Sequence, residues 1–385
     1  MARDIPFNRP YMTGEELGNI RQAHENGHLS GDGPFTQRCH KWLEKKTGAP
    51  KALLTHSCTA ALEMAALLLD LKAGDEVIMP SFTFVSSANA FALRGAIPVF
   101  VDIRKDTLNI DESKIEEAIT PRTRAILPVH YAGVGCEMDT IGDIAQRYDL
   151  VVVEDAAQGI MASYKGRPLG SLGSFGTLSF HETKNVISGE GGALLINAEN
   201  AELKAEIIRE KGTDRSQFIR GTVDKYTWQA VGSSYLPGEI VAAFLEAQLQ
   251  QADWITENRL ASWGRYHELL APLEASGLLR RPVVPEHCKH NAHMYYVIIA
   301  EGINRQGLLQ QLNAAGVNAV FHYVPLHLSP AGQRLGRVAG HLQVTEESAS
   351  RLIRLPLWVG MTADELNYVT SVLEASLMTI ESNWS

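Results

Sequence analysis

The chain reads as an α/β protein with a mostly parallel sheet, helices on both faces, and a smaller C-terminal α/β unit. Three observations predict this. Apolar runs of strand length alternate with helix-forming stretches between residues 76 and 198. Gly, Pro or Asp stands at the ends of those runs. Past Glu239 the alternation gives way to one long helical stretch and then a few separate elements. Such alternation places strands side by side in one sheet and ligands at their carboxyl ends.

The elements follow in order. Ser57, Cys58 and Thr59 precede an apolar helix-forming run from Ala60 to Leu71, a cap-like start. Six strand-sized runs come next: EVIMP (76–80), IPVFVDI (97–103), AILPVHY (125–131), VVVED (151–155), GTLSF (176–180) and ALLINA (193–198). Residues 239–270 read as one long helical segment, straight or kinked, able to bridge two domains. MYYVIIA (294–300), a helix near 304–315, VNAVFHYVPLH (317–327) and a last helix near 363–380 complete a small lobe. The expected division is a large domain over 1–245 and a smaller one over 246–385 that includes the linking helix.

Composition excludes several classes. With 385 residues, 45% hydrophobic and 21% charged, the chain suits a soluble globular protein with a large core. A formal net charge of −9 argues against a nucleic-acid partner held by bulk attraction. The start, MARDIPFNRP, lacks an apolar signal core, and no run reaches membrane-spanning length. The four cysteines, Cys39, Cys58, Cys136 and Cys288, are scattered without paired spacing. They fit reduced thiols in a cytoplasmic protein.

The chemistry concentrates between Val151 and Gly192. VVVEDAAQG delivers Asp155 and Gln158 at a strand end, and SFHETKNVISGEGG sets Lys184 before a glycine-rich turn. An acid at a strand end and a downstream lysine are what a pyridoxal phosphate enzyme needs. The lysine forms a Schiff base with the cofactor aldehyde and later acts as general base. The aspartate pairs with the pyridinium nitrogen and keeps the ring an electron sink. Taken singly, each has a plainer reading: a solvated lysine, a strand-end acid, a helix-start glutamine. The helix start at Thr59 and Ala60 offers free N–H groups to a phosphate, with the Ser179 hydroxyl beside it. Phe84, just past a strand, is either a core aromatic or a ring stacked on the cofactor, and Phe82 competes for that role. His181, His322 and Tyr323 are candidate substrate contacts. No HxxxH or HExxH pattern supports a metal site, and GxSxG and GxxxxGK[ST] are absent.

SCTAALEMA, PSFTFVSSANA, VVVEDAAQG, SFHETKNVISGEGG and HYVPLH together resemble the DegT/DnrJ/EryC1/StrS sugar aminotransferases, over essentially the whole chain. The resemblance implies the aspartate aminotransferase fold (type I) and a homodimer with active sites at the subunit interface. It also implies amine transfer from L-glutamate to a keto group on a nucleotide-linked sugar, with pyridoxamine phosphate as the aminated form of the cofactor. By likeness Lys184 is the Schiff-base lysine and Asp155 the ring-nitrogen partner. Thr59, Ala60, Gln158 and Ser179 are cofactor contacts, and Phe84 is the stacked aromatic. Many members carry Asn-Tyr-Arg-Met before a long helix, the Asn reaching the neighbouring subunit's cofactor phosphate. Here Ser234-Tyr235-Leu236-Pro237 stands there, and Ser234 can replace that contact. SSYLPGEI with HYVPLHLSP resembles the members that convert TDP-4-oxo-6-deoxyglucose into TDP-4-amino-4,6-dideoxygalactose for enterobacterial common antigen.

Other readings are weighed against this one. A different nucleotide-linked keto sugar is the nearest alternative. A non-catalytic cofactor-binding regulator would need a reader domain, which the chain lacks. Sugar dehydratases on this fold carry histidine in place of the lysine, and Lys184 argues against them. Arg209, Lys211, Arg215, Arg220 and Lys225 form a basic stretch that suits either a diphosphate or a solvated loop.

Overall fold

The computed structural model describes residues 3–382. Its main sheet has eight strands. In spatial order these are Lys51–Thr55, Gly192–Ile196, Phe175–Ser179, Val151–Asp155, Thr123–Ile126, Glu76–Pro80, Ile97–Val101 and Arg337–Val338. Gly192–Ile196 runs antiparallel to both neighbours, and every other pairing is parallel.

Side chains alternate across a strand, and the two faces feed different cores. Ile78 joins one apolar cluster with Leu54, Val99 and Ile126, while Val77 and Met79 join the other with Phe100, Ala125 and Val153. Both faces are covered, so the central strands are largely apolar rather than strictly alternating, with Arg124 and Glu154 among the exceptions. The helix Cys58–Leu68 packs its Ala61, Leu62 and Ala65 on one face. Pro34–Thr47 and Glu239–Gln250 cover the other with Phe35, Leu43, Ala242 and Leu249.

The smaller lobe is built on a three-stranded antiparallel sheet, with Tyr295–Ile299 between Leu279–Arg280 and Leu352–Leu355. The helices Ala252–Leu269, Arg305–Ala314 and Ala363–Ser382 supply Tyr266, Leu308, Leu312, Val369 and Leu373 to its core. Near the amino end Ile5 bridges to Val317, and between the small lobe's elements Arg337–Val338 crosses back to the large sheet. An aromatic cluster of Phe82, Tyr131 and Tyr296, with Tyr323 packed against it, joins the lobes.

Three segments differ from the sequence expectation. The stretch 239–270 is two helices meeting at Gln251, whose φ of −107° and ψ of 11° interrupt the helical run. VNAVFHYVPLH makes only isolated bridges, at Val317 and Val320, before a short 3₁₀ turn at Leu326–Leu328. Lys51–Thr55 is an edge strand that the apolar-run pattern did not pick out.

Candidate active site

The carboxyl ends of the parallel strands open into a cavity of about 450 Å³ between the lobes. Asp155 is the last residue of its strand and is buried there. Its Oδ2 accepts a 2.6 Å bond from the Ser87 hydroxyl and its Oδ1 a 3.1 Å bond from the Ala157 N–H. Ser87 thereby commits its proton to the carboxylate, so the Thr83 hydroxyl, 2.7 Å away, must donate to Ser87. The acid is held in one orientation by a buried relay.

A helix N-terminus forms the next wall. Ser57 caps Cys58–Leu68, its hydroxyl accepting from the Ala60 N–H at 3.1 Å. The N–H groups of Cys58 and Thr59 find no acceptor among the described residues and remain available to an anion. The glycine-rich turn seats closely against this helix start. A Cβ on Gly192 would collide with the Ser57 carbonyl and the Cys58 nitrogen, and Gly189 takes a φ of +78°. Thr59 shares a 2.7 Å bond with the Ser86 hydroxyl.

Lys184 lies between these walls on the loop joining Phe175–Ser179 to Gly192–Ile196. The loop is tied down at Glu182 by Gly189 and at Ser188 by Phe180. The Asn185 amide donates to the Asn291 carbonyl at 2.7 Å, and its oxygen meets His293 Nδ1 at 3.1 Å. No hydrogen bond or ion pair engages the Lys184 amine among the described residues. Burial lowers its pKa, opposed by Cys58 and Asp155 and reinforced by Arg354. Burial also pushes the Cys58 thiol up to about 12, so it is neutral near pH 7, and Asp155 is the effective opposing charge.

Gln158 is fully engaged: its oxygen accepts from the Ala132 N–H at 2.7 Å and its amide donates to the Tyr323 hydroxyl at 3.0 Å. Tyr323 stacks on His322 with centroids 3.6 Å apart, and Tyr131 bonds His322 Nδ1 at 2.8 Å. Burial keeps the His322 pKa well below its ordinary value. Phe84 is 58% exposed and faces the cavity, whereas Phe82 is buried against Tyr131 and Tyr323. His181 sits at the rim, bonded to Thr183 and near Glu190.

Thus Thr59, Phe84, Asp155, Gln158, Ser179, His181, Lys184, His322 and Tyr323 surround one cavity. Two expected contacts lie outside that lining. The Ala60 N–H is taken by Ser57, and Ser234 is exposed and bridges to Glu210. The basic stretch is largely neutralised internally. Arg209 pairs with Asp32, Lys211 and Arg215 with Glu210, and Arg220 with Glu206. Ser87, His293 and Arg354 escaped the sequence reading. One signal existed for Arg354, a lone charge in the apolar run LIRLPLW. Ser87 and His293 had none.

A free amine, an oriented carboxylate, unpaired helix-start N–H groups and an exposed aromatic together fit pyridoxal phosphate. Lys184 would hold its aldehyde carbon, Asp155 its ring nitrogen, and the Cys58–Thr59 turn its phosphate. Among the described residues, no group of three or more His, Cys, Asp or Glu could hold a metal ion.

Comparison with known proteins agrees. The family model for DegT/DnrJ/EryC1/StrS aminotransferases matches residues 10–374. An uncharacterized Methanocaldococcus jannaschii protein is 34% identical over 377 residues, covering 96% of this chain and 97% of that one. The spore coat polysaccharide biosynthesis protein SpsC of Bacillus subtilis is 33% identical over 379 residues, covering 96% of each. A Streptococcus pneumoniae protein assigned as a sugar aminotransferase, solved in its pyridoxamine phosphate form, superposes with a TM-score of 0.90. It is 27% identical and covers 99% of each chain. The chain belongs to the DegT/DnrJ/EryC1/StrS family and is a pyridoxal phosphate-dependent sugar aminotransferase.

Proposed function

We propose that this aminotransferase moves the amino group of L-glutamate to the C4 keto carbon of TDP-4-oxo-6-deoxy-D-glucose, giving TDP-4-amino-4,6-dideoxy-D-galactose. The observation that carries the reaction is the single cavity holding Lys184, Asp155 and an open helix N-terminus. The choice of sugar rests on the SSYLPGEI and HYVPLHLSP segments. The polysaccharide role named for the Bacillus subtilis relative supports an aminated sugar as product, and enterobacterial common antigen is the polymer those segments suggest. When bound, the cofactor supplies an electron sink for the carbon that loses its proton.

The chain's own residues do the rest. Burial lowers the Lys184 pKa, which favours its role as the base that takes a proton from the donor's α-carbon and returns one to sugar C4. Asp155, fixed by Ser87 and Ala157, holds positive charge at the ring nitrogen. Thr59, Ser179 and the adjoining helix start bind the phosphate, Phe84 covers one ring face, and Gln158 positions Tyr323. His181, His322 and Tyr323 face the incoming sugar.

A homodimer completes the proposal. Trp228 and Val231, 79% and 59% exposed, lie close in sequence to Ser234 and offer apolar surface to a second copy. Ser234 then reaches the partner subunit's phosphate site. No helix among the described residues is long and apolar enough to cross a membrane, which is compatible with action in the cytoplasm on soluble sugar nucleotides.

The test is the visible spectrum of the purified holoenzyme. A band near the cofactor's usual absorption should bleach with L-glutamate and return on adding TDP-4-oxo-6-deoxyglucose. Bleaching without return would reject this acceptor and favour another nucleotide-linked keto sugar.

A further inference from the structure

His322 and Tyr323 reach the cavity from a stretch whose main chain is held only at its ends. At one end Val320 and Arg354 exchange bonds of 2.7 and 3.1 Å. At the other the Leu326 N–H donates to the Ser81 carbonyl at 3.0 Å. Between them the N–H groups of residues 321–324 find no acceptor among the described residues, and Phe321 and Val324 are exposed. Ser81 closes its end with its side chain as well. It follows the strand Glu76–Pro80 and is fully buried. Its Oγ accepts the His327 N–H at 3.1 Å and lies 2.7 Å from His327 Nδ1. His327 Nε2 meets Glu346 Oε1 at 3.1 Å. Glu346 stands on the helix Gln343–Arg351, whose start Asp102 fixes by accepting from the Val344 and Thr345 N–H groups at 3.0 and 2.8 Å.

A hydroxyl has one proton to give. The Ser81 hydroxyl already receives the His327 N–H, and among the described residues His327 Nδ1 is its one acceptor. Ser81 therefore donates to Nδ1, and His327 carries its ring hydrogen on Nε2, towards Glu346. Ser81, His327 and Glu346 stand in hydroxyl–imidazole–carboxylate order, yet Ser81 is buried and lies outside the cavity lining. The three form a knot rather than a nucleophile. The geometry points to His327 as a positioning residue for the sugar acceptor: knotted to Ser81, it sets where His322 and Tyr323 stand in the cavity. This rests on the sugar-facing role proposed above for those two residues.

The knot ties a small-lobe loop to two strand ends of the large sheet. One tie is direct, through Ser81, and the other runs through Glu346 and its helix to Asp102, which follows the strand Ile97–Val101. Ser81 also precedes Phe82, whose ring meets His322 and Tyr323 edge-on with centroids 6.3 and 5.4 Å away. One anchor thus sets both the loop and the ring it packs against. Tyr131 and Gln158 then hold the His322 and Tyr323 side chains at 2.8 and 3.0 Å, bonds that form only when the loop is in register. The two arms of the knot carry unequal weight. Breaking the Ser81 arm strands a buried hydroxyl, whereas the Glu346 side chain is 54% exposed and its pairing adds little.

The experiment compares wild-type holoenzyme with His327→Leu, His327→Asn, Ser81→Ala and Glu346→Ala. Recovery of the cofactor band is followed against the keto sugar nucleotide, bleaching against L-glutamate, and cofactor retention by dialysis. Amide hydrogen exchange is read over residues 326–328. His327→Leu and Ser81→Ala should raise the half-saturation for the sugar nucleotide about 10-fold and quicken that exchange by a similar factor, as for losing one buried hydrogen bond. Glutamate half-saturation and cofactor retention should match wild type. Asparagine places an oxygen where imidazole places Nδ1, so His327→Asn should recover most of the loss. Glu346→Ala should shift the sugar half-saturation by no more than about twofold. An unchanged sugar half-saturation in both His327→Leu and Ser81→Ala would overturn the assignment. So would equal weakening of sugar nucleotide, glutamate and cofactor, which marks a merely structural residue, and so would His327→Asn behaving as His327→Leu. If His327→Leu does not fold, Ser81→Ala decides by the same readings. A wild-type band that bleaches with glutamate but ignores the keto sugar rejects the proposed acceptor instead. Exchange over 326–328 then decides the knot by itself, and unaltered rates in the variants overturn it.

Discussion

The two walls of the cavity are built on opposite plans. On the large-lobe wall the acid is fixed before any ligand arrives: Asp155 receives two bonds and Ser87 and Thr83 complete a relay, while the N–H groups of Cys58 and Thr59 stay open to an anion. The small-lobe wall is held open. Arg354 lacks a partner, and His293 and His322 are kept neutral by burial among cations. The first plan stabilises the fold and orients a reactive group. The second leaves a buried guanidinium without a hydrogen-bond partner, at some cost to the free protein.

The largest effect should come from Lys184→Ala. Removing both anchor and base should cut amine transfer by more than about 10⁴-fold while far-UV circular dichroism stays unchanged. Appreciable turnover in that variant would break the picture of a preassembled site. Asp155→Ala should lower turnover by about 10³-fold and weaken cofactor retention, read by dialysis and absorbance.

Stability separates the two plans further. Arg259→Met strands three carbonyls and should destabilise the protein by roughly 3 kcal/mol in urea titration, because buried acceptors lose their donors. pH supplies the next test. His293 has its pKa lowered by burial first, then by Lys184, Arg259 and Arg354. The folded form keeps it neutral, whereas the unfolded chain takes up a proton near pH 6.5. Its contribution is therefore intact above about pH 6.5 and is lost as pH falls, by about 0.7 kcal/mol between pH 7 and 6. His322 acts in the same direction. Urea midpoints that stay flat across this range would show that these rings are not held neutral. Arg354→Met should give the smallest change and the opposite sign, raising the stability of the ligand-free protein by about 1 kcal/mol. A clear loss of stability there would mean that Arg354 is structural after all.

Much of this was legible in the residue order. The six main-sheet strands between Glu76 and Ile196 announced themselves because they are mostly buried and rich in apolar residues, whereas the two-residue strands Ser163–Tyr164 and Arg167–Pro168 gave no such run. Lys51–Thr55 did not, since KALLT is short, begins with a charge and sits at the sheet edge. A kink in this stretch was open, but its position at Gln251 was hidden because Gln250 and Ala252 beside it are good helix formers. Within the site, residues in glycine-rich or strand-end settings stood out. Ser87 did not, because one more serine on a helix is unremarkable until Asp155 is found 2.6 Å away.

What the sequence determined alone is therefore the local chemistry and the alternation of elements: a lysine before a glycine turn, an acid closing a strand, and a helix with a polar start. Strand period and strand length are local properties, and each of these signals lies within a short window. Tertiary structure decided which groups share a cavity and which charges meet a partner. Arg354, Phe7, Lys184 and Asp155 are far apart in the chain and converge only after both lobes pack. The contrast between Arg259 and Arg354 has the same origin. Two arginines are chemically identical in a sequence, and only the arrangement of distant carbonyls satisfies one and leaves the other without a hydrogen-bond partner.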